Sequence, residues 1–216
     1  MKRAFTLIEL LIVISIITLM LATLLPAFSR IRMQAKVLTA NSDLRQIGIC
    51  LDMYTVDNNN RFPPTRKDCN LGWEDHQLPP ELVESGYLPE PESSSNTSAG
   101  IYDVFNHNVT YKYWSVGQMY QNGKYSERLK SGLYVPKNFP ANNEEKPETD
   151  IYYNAPDLSP VNWVIYSEGP NYDAWTAIKE LNGPVPRRCW YDPAKNEGLI
   201  VRISTKNGDQ IGTFQE

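Results

Sequence analysis

The chain has 216 residues and a formal charge of −4. That length suits one domain plus a short extra segment, and that balance argues against a nucleic-acid binder relying on bulk charge or a polybasic membrane-surface protein. Sixteen prolines and thirteen tyrosines point to a loop-rich part that contains sheet. The three cysteines, Cys50, Cys69 and Cys189, are odd in number, so they cannot all pair internally, and their spacing fits no zinc motif.

After the charged start Met1-Lys2-Arg3-Ala4 comes Phe5 to Pro26, FTLIELLIVISIITLMLATLLP. A run of about 20 apolar residues spans a bilayer core as a helix. Its neutral polar residues are Thr6, Ser15, Thr18 and Thr23, and its one charge is Glu9. An ionised group in hydrocarbon costs about 2.5–3.5 kcal/mol even on lenient scales, so a carboxylate there usually has a partner and a role. No basic residue stands between Phe5 and Pro26. Two simpler readings exist. One is a secretory signal with Lys2 and Arg3 as its charged region, Leu10 to Leu25 as its apolar core and cleavage at Ala27. The other is a plain membrane anchor. Lys2 and Arg3 precede the span while Arg30, Arg32 and Lys36 follow it, so charge bias leaves its orientation undecided.

The run Lys2-Arg3-Ala4 followed by Phe5-Thr6-Leu7-Ile8-Glu9, an apolar helix and Pro26 resembles the N-terminus of the type IV pilin and pseudopilin superfamily. The resemblance implies that a membrane-embedded prepilin peptidase cuts between Ala4 and Phe5 and N-methylates Phe5. Glu9 then becomes the fifth residue of the processed chain. The family usually has glycine before the cut, where this chain has Ala4. Cleavage removes Lys2 and Arg3 and takes the formal charge from −4 to −6. The resemblance also implies an N-terminus on the cytoplasmic side of the inner membrane and a periplasmic head.

Beyond Pro26, Met33, Val37, Ala40, Leu44, Ile47, Leu51 and Tyr54 recur at spacings of 4, 3, 4, 3, 4 and 3. This is one apolar stripe on a long amphipathic helix, with Arg32, Lys36, Asn41, Ser42, Asp43, Arg45 and Asp52 opposite. Under three full heptads is short for a coiled coil, so the stripe is expected to pack on the chain's own head. Gly48 interrupts it at about 1 kcal/mol relative to alanine. The helix should stop near Asp57-Asn58-Asn59-Asn60, before Pro63-Pro64. A continuous helix over 5–56 would be about 78 Å long, and Pro26 should kink or locally unwind it.

Thr65 to Pro91 reads as irregular, apart from a short helix in Leu78 to Pro89 with Pro80 at its start and Gly86 at its C′ position. The Ser-rich Glu92 to Gly100 reads as a flexible loop. Strand-like runs follow at Val109–Val116, Ile151–Tyr153, Trp163–Tyr166 and Leu199–Ser204, with side chains that suit a half-buried pleated surface. Gly123-Lys124, Gly169-Pro170, Gly183-Pro184 and Asn207-Gly208-Asp209 read as turns. The last could close a hairpin with Ile211–Phe214. There is no internal repeat.

Leu51 to Pro63, LDMYTVDNNNRFP, resembles the helix end of the major pseudopilin of type II secretion. The runs Tyr102-Asp103-Val104-Phe105 through Tyr111-Lys112-Tyr113, and Ile165 to Asp173, resemble its strand entry and its "YSxGxDG" segment more loosely. The insertion from Gln118 to Pro156 has no counterpart in that pattern. In those pseudopilins the loop after the second segment holds calcium, which implies Glu168, Asn171 and Asp173 as candidate ligands, with backbone carbonyls completing the six to eight oxygens the ion takes. In a periplasmic head Cys69 and Cys189 are candidate disulfide partners.

Other constellations are weaker. His76 follows Glu74-Asp75 and His107 sits between Asn106 and Asn108, and both read as exposed loop residues. Ser167 lacks a nucleophile-elbow context. Trp73, Trp114, Trp163, Trp175 and Trp190 could make a sugar platform, though such residues are more often core. Asn96-Thr97-Ser98 and Asn108-Val109-Thr110 match a glycosylation pattern that has little force in a bacterial-type chain.

The expected fold is α+β, a long N-terminal helix packed on a small antiparallel sheet. Residues 1–4 form the leader, 5–28 the membrane and filament-core helix, 29–60 its amphipathic half and 61–216 the head. The expected role is structural and non-enzymatic. It is a homo-oligomeric filament subunit of the pseudopilin kind, working with prepilin peptidase, other pseudopilins and the inner-membrane assembly platform, and with no nucleic acid. The alternatives are a type IV pilin for adhesion, motility or DNA uptake, and an enzyme or sugar-binding domain on a plain anchor.

Overall fold

In a computed structural model the described residues are 7–67, 76–95, 97–122, 124–141, 146–171 and 173–215. The chain divides into two compact units, Met1–Leu38 and Thr39–Glu216. Helix α1 covers Leu7–Asp57. Its α-helical backbone runs without a break through Pro26, so the local unwinding expected there does not occur. Proline removes a single N–H donor and leaves one carbonyl, that of Ala22, without its helical bond. The helix ends where the sequence says it should. The N–H of Asn60 reaches back to the carbonyl of Thr55 at 2.9 Å, and Asn59 and Asn60 turn left-handed, which is the closure asparagine tolerates best after glycine.

In the second unit the helical stripe is buried. Ala40, Leu44, Ile47 and Leu51 have no exposed surface, while Arg45, Gln46, Ile49 and Asp52 between them are exposed. Their seat is a four-stranded antiparallel sheet in the order β2 (Lys112–Ser115), β7 (Val161–Ser167), β8 (Ile200–Thr205), β9 (Gln210–Gly212). Gly48 marks the closest approach. A Cβ there would lie 3.2 Å from the Trp163 ring and 3.4 Å from the Arg202 stem, so the missing side chain lets helix and sheet meet. Polar bonds fix the register. Tyr111 Oη donates to Asp43 at 2.6 Å, Gln210 Nε2 to Asp52 at 3.0 Å and Thr213 Oγ1 to Asn41 at 3.1 Å.

The sheet is covered on both faces, not half-buried as its sequence suggested. Trp163 and Ile165 alternate with Val164 and Tyr166 along β7, and all four are buried. The face opposite Trp163 packs Val164, Tyr166, Val201 and Ile203 with Leu133, Val185, Cys189 and Trp190. The β8–β9 hairpin turns at Asn207-Gly208-Asp209 as expected, with Gly208 at φ +88°. The short helix is α2 (Glu81–Glu84), with Pro80 as its N-cap and Gly86 left-handed just past its end.

Two segments differ from expectation. The stretch read as irregular contains β1 (Thr65–Lys67), which pairs in parallel with β3 (Gly117–Gln121); β3 then pairs with β4 (Lys124–Ser131). Within the unassigned insertion, β5 (Leu133–Val135) pairs with β6 (Ile151–Tyr153). The buried Asp150 side chain ties this insertion to the loop after α3 (Ala174–Lys179) through Arg188 and Asn182. The loop over 92–100 has no regular structure in its described part, but Thr97, Ser98 and Ala99 are buried and Ser98 Oγ donates to the Leu78 carbonyl at 2.5 Å.

Leu44→Ala would remove three side-chain carbons from a fully buried position, at about 2–5 kcal/mol. We expect a clearly lower thermal midpoint by circular dichroism of the detergent-solubilised chain. An unchanged midpoint would contradict the helix–sheet seat.

Candidate functional site

The first unit is a helix whose apolar side chains are exposed on every side. Ile8, Leu11, Ile14 and Leu21 are each more than half exposed, and the most apolar window buries none of its residues within the chain. By length and composition α1 can cross a membrane. Its hydroxyls are already satisfied. Ser15 Oγ donates to the Leu11 carbonyl at 2.7 Å, Thr18 Oγ1 to Ile14 at 2.7 Å and Thr23 Oγ1 to Met20 at 2.8 Å. Back-bonding of this kind removes the cost of placing a hydroxyl in hydrocarbon. Glu9 lies in the first helical turn, where the positive end of the helix dipole favours a carboxylate. Of the residues assigned to processing and assembly, Ala4 and Phe5 lie outside the described residues. Pro26 lies within the helix.

The implied calcium ligands have other work. Asp173 caps α3, with Oδ1 accepting from the Trp175 N–H at 3.1 Å and Oδ2 from Thr176 Oγ1 at 2.6 Å. Glu168 accepts from Asn106 at 3.2 Å and lies 3.8 Å from the Lys112 ammonium. Asn171 turns left-handed and donates its amide to the Asn196 carbonyl at 3.3 Å. Calcium takes several carboxylate oxygens, and here it would compete with a helix cap and a lysine, so this donor set fits the ion poorly. Among the described residues no three His, Cys, Asp or Glu side chains form a metal group. Cys69 lies outside the described residues; Cys189 is buried, and Cys50 is a free thiol donating to the Tyr87 carbonyl at 3.2 Å.

Ser167 is structural. It is buried and donates to Asp103 Oδ1 at 2.8 Å, and Asp103 also accepts from the Phe105 and Glu168 backbone N–H groups. Burial raises the Asp103 carboxyl above the ordinary aspartate value despite these bonds. Trp163 and Trp190 are core, Trp73 lies outside the described residues, and Trp114 and Trp175 line a cleft in the head of about 750 Å³. This cleft was not legible in the sequence, because its walls come from β1, β2, β4 and α3, far apart in the chain. His76 lies in it rather than in an exposed loop. Its backbone is left-handed at φ +65°, its carbonyl accepts from the Tyr113 N–H at 2.7 Å, and its ring stacks on Trp114 with centroids 4.1 Å apart. Burial, then the charges of Lys67, Lys112 and Lys179, push its pKa down to about 3.

Residues 1–25 match the family model described as the prokaryotic N-terminal methylation motif. The match takes in the charged start, the FTLIE run and nearly all of the apolar stretch, and gives this chain a type IV pilin-like N-terminus on a membrane-capable helix. Such a motif goes with prepilin peptidase processing and filament assembly. No curated protein and no solved structure matches the chain.

His76 yields a pH prediction. Its folded pKa lies below the ordinary histidine value, so between that value of 6.5 and about 3 the unfolded chain binds a proton that the folded chain refuses. Stability is therefore lost as pH falls below about 6.5. Between pH 6.5 and 5 the loss should be about 1–2 kcal/mol. His76→Phe, which keeps a ring against Trp114, should flatten that segment of the denaturation profile. A slope unaffected by the change would count against a neutral His76 in the cleft.

Proposed function

We propose that the chain is the structural subunit of a pilus-like filament, a pseudopilin of a type II secretion system. The N-terminal match over residues 1–25 carries this reading. The pseudopilin-like run from Leu51 to Pro63, which here closes α1, supports the narrower assignment. In this account the apolar part of α1 first holds the subunit in the inner membrane with its head in the periplasm. Prepilin peptidase cuts after Ala4 and methylates Phe5. The inner-membrane assembly platform then moves the subunit, with other pseudopilins, into a fibre whose core is made of these same helices.

Glu9 has a specific task in that fibre. A bundle of apolar helices has low dielectric, and a carboxylate enclosed there is strongly favoured beside a cation. The new N-terminal amine of Phe5 on a neighbouring subunit is such a cation. Pairing the two selects one axial register over slipped alternatives.

N-terminal mass analysis of membrane-extracted protein tests the reading. The expected mature chain begins at N-methylated Phe5; a chain beginning at Met1 or Phe28 contradicts it. Glu9→Leu should insert into the membrane normally but assemble poorly, because the amine left without its partner costs about 3–5 kcal/mol per contact. Wild-type fibre yield would refute the role of Glu9. Long surface fibres at native expression would place the chain among the type IV pilins proper.

A further inference from the structure

The cleft concentrates positive charge on a chain of the opposite sign. Its lining includes Lys67 from β1, Lys112 from β2, Lys130 from β4 and Lys179 from α3. Among the described residues of that lining the only carboxylate is Glu168, which lies 3.8 Å from the Lys112 ammonium. Lys67, Lys112 and Lys179 all depress the basicity of His76, so three ammonium groups act on one point. His76 itself is neutral at pH 7 and adds an aromatic surface without adding charge.

The aromatic groups narrow the class of ligand. One face of Trp114 is taken by His76, and Lys179 Nζ sits 4.9 Å from the ring centroid of Trp175. Tyr134 and Tyr152 meet at 50° with centroids 4.9 Å apart, so they form no parallel slot. A planar base is held best between or along flat parallel faces. Single ring faces and phenol edges suit a saturated ring that presents C–H groups on one side and hydroxyls on the other. The volume of about 750 Å³ falls in the range of small-ligand sites. An extended polyanion would have to lie across a chain whose formal charge is −4.

We propose that this cleft binds a small acidic saccharide, a carboxylate-bearing pyranose of one or two rings. The lysines hold the carboxylate, and the rim aromatics Trp175, Tyr134 and Tyr152 hold the ring. Trp175 is 70% exposed, which a ligand covering its free face would explain. The site does not depend on what the N-terminal helix does.

The test uses the full chain in non-ionic detergent, titrated with digalacturonate, with the neutral disaccharide cellobiose and with AMP. Calorimetry and tryptophan emission report binding. Digalacturonate should bind saturably with a Kd below about 1 mM, and cellobiose at least about tenfold more weakly. Lys179→Glu and Lys130→Glu, both at exposed positions, should each weaken digalacturonate about tenfold, while Lys195→Glu outside the lining should not. Lys179→Gln provides the same comparison, with a smaller loss, if charge reversal harms folding. The proposal fails if digalacturonate shows no saturable binding, if cellobiose binds equally well, if the lysine variants bind like the wild type, or if AMP is preferred. The last result would make the cleft a nucleotide site.

Discussion

The constraint on which the structure depends is a single helix with two kinds of surface. From Leu7 to Leu25 its apolar side chains are exposed on every side among the described residues. Between Ala40 and Leu51 the stripe of Ala40, Leu44, Ile47 and Leu51 is fully buried against the head, while Ile49 beside it stays exposed. The first surface requires an apolar surrounding supplied from outside the chain, because exposed leucine and isoleucine on this scale are not tolerated in water. The second supplies its own surrounding through Gly48, which brings the helix against Trp163 and Arg202. A lipid bilayer and a bundle of like helices both meet the first requirement, which is why one element can serve an anchored subunit and an assembled one.

Hydrogen bonding separates these surfaces as sharply as hydropathy does. In the apolar part, Ser15, Thr18 and Thr23 turn their hydroxyls back onto the helix's own carbonyls. In the seated part, Asn41, Asp43 and Asp52 reach across to the head instead. Glu9 is the one carboxylate in the apolar part. It lies in the first turn, where the helix dipole lowers the cost of a negative charge.

The helix was legible because both its signals are local. The 3.6-residue stripe and the asparagine-rich stop at 58–60 need no knowledge of the rest of the chain. The β8–β9 hairpin and the Pro80-to-Gly86 helix were legible for the same reason, through turn chemistry at Gly208 and Gly86. What escaped was decided at long range. β1 is Thr-Arg-Lys, three residues without a strand-like pattern, and it becomes a strand only because β3 offers a parallel edge some fifty residues later. The double burial of β7 followed from the insertion folding back over the sheet, fastened by Asp150, Asn182 and Arg188. The lysines of the cleft lie on four separate elements, and no spacing rule gathers them.

The same difference in range bears on the implied calcium ligands. A Glu, an Asn and an Asp within six residues look like a cation loop, but the fold gives Asp173 a helix to cap and Glu168 a lysine to face. The central claim concerns the other carboxylate, and a helical reconstruction of the assembled fibre by cryo-electron microscopy tests it most directly. The account places the Glu9 carboxylate about 3 Å from the Phe5 amine of an adjacent subunit, inside a core of packed α1 helices. A fibre whose α1 helices lie apart, or whose Glu9 faces solvent, would contradict it.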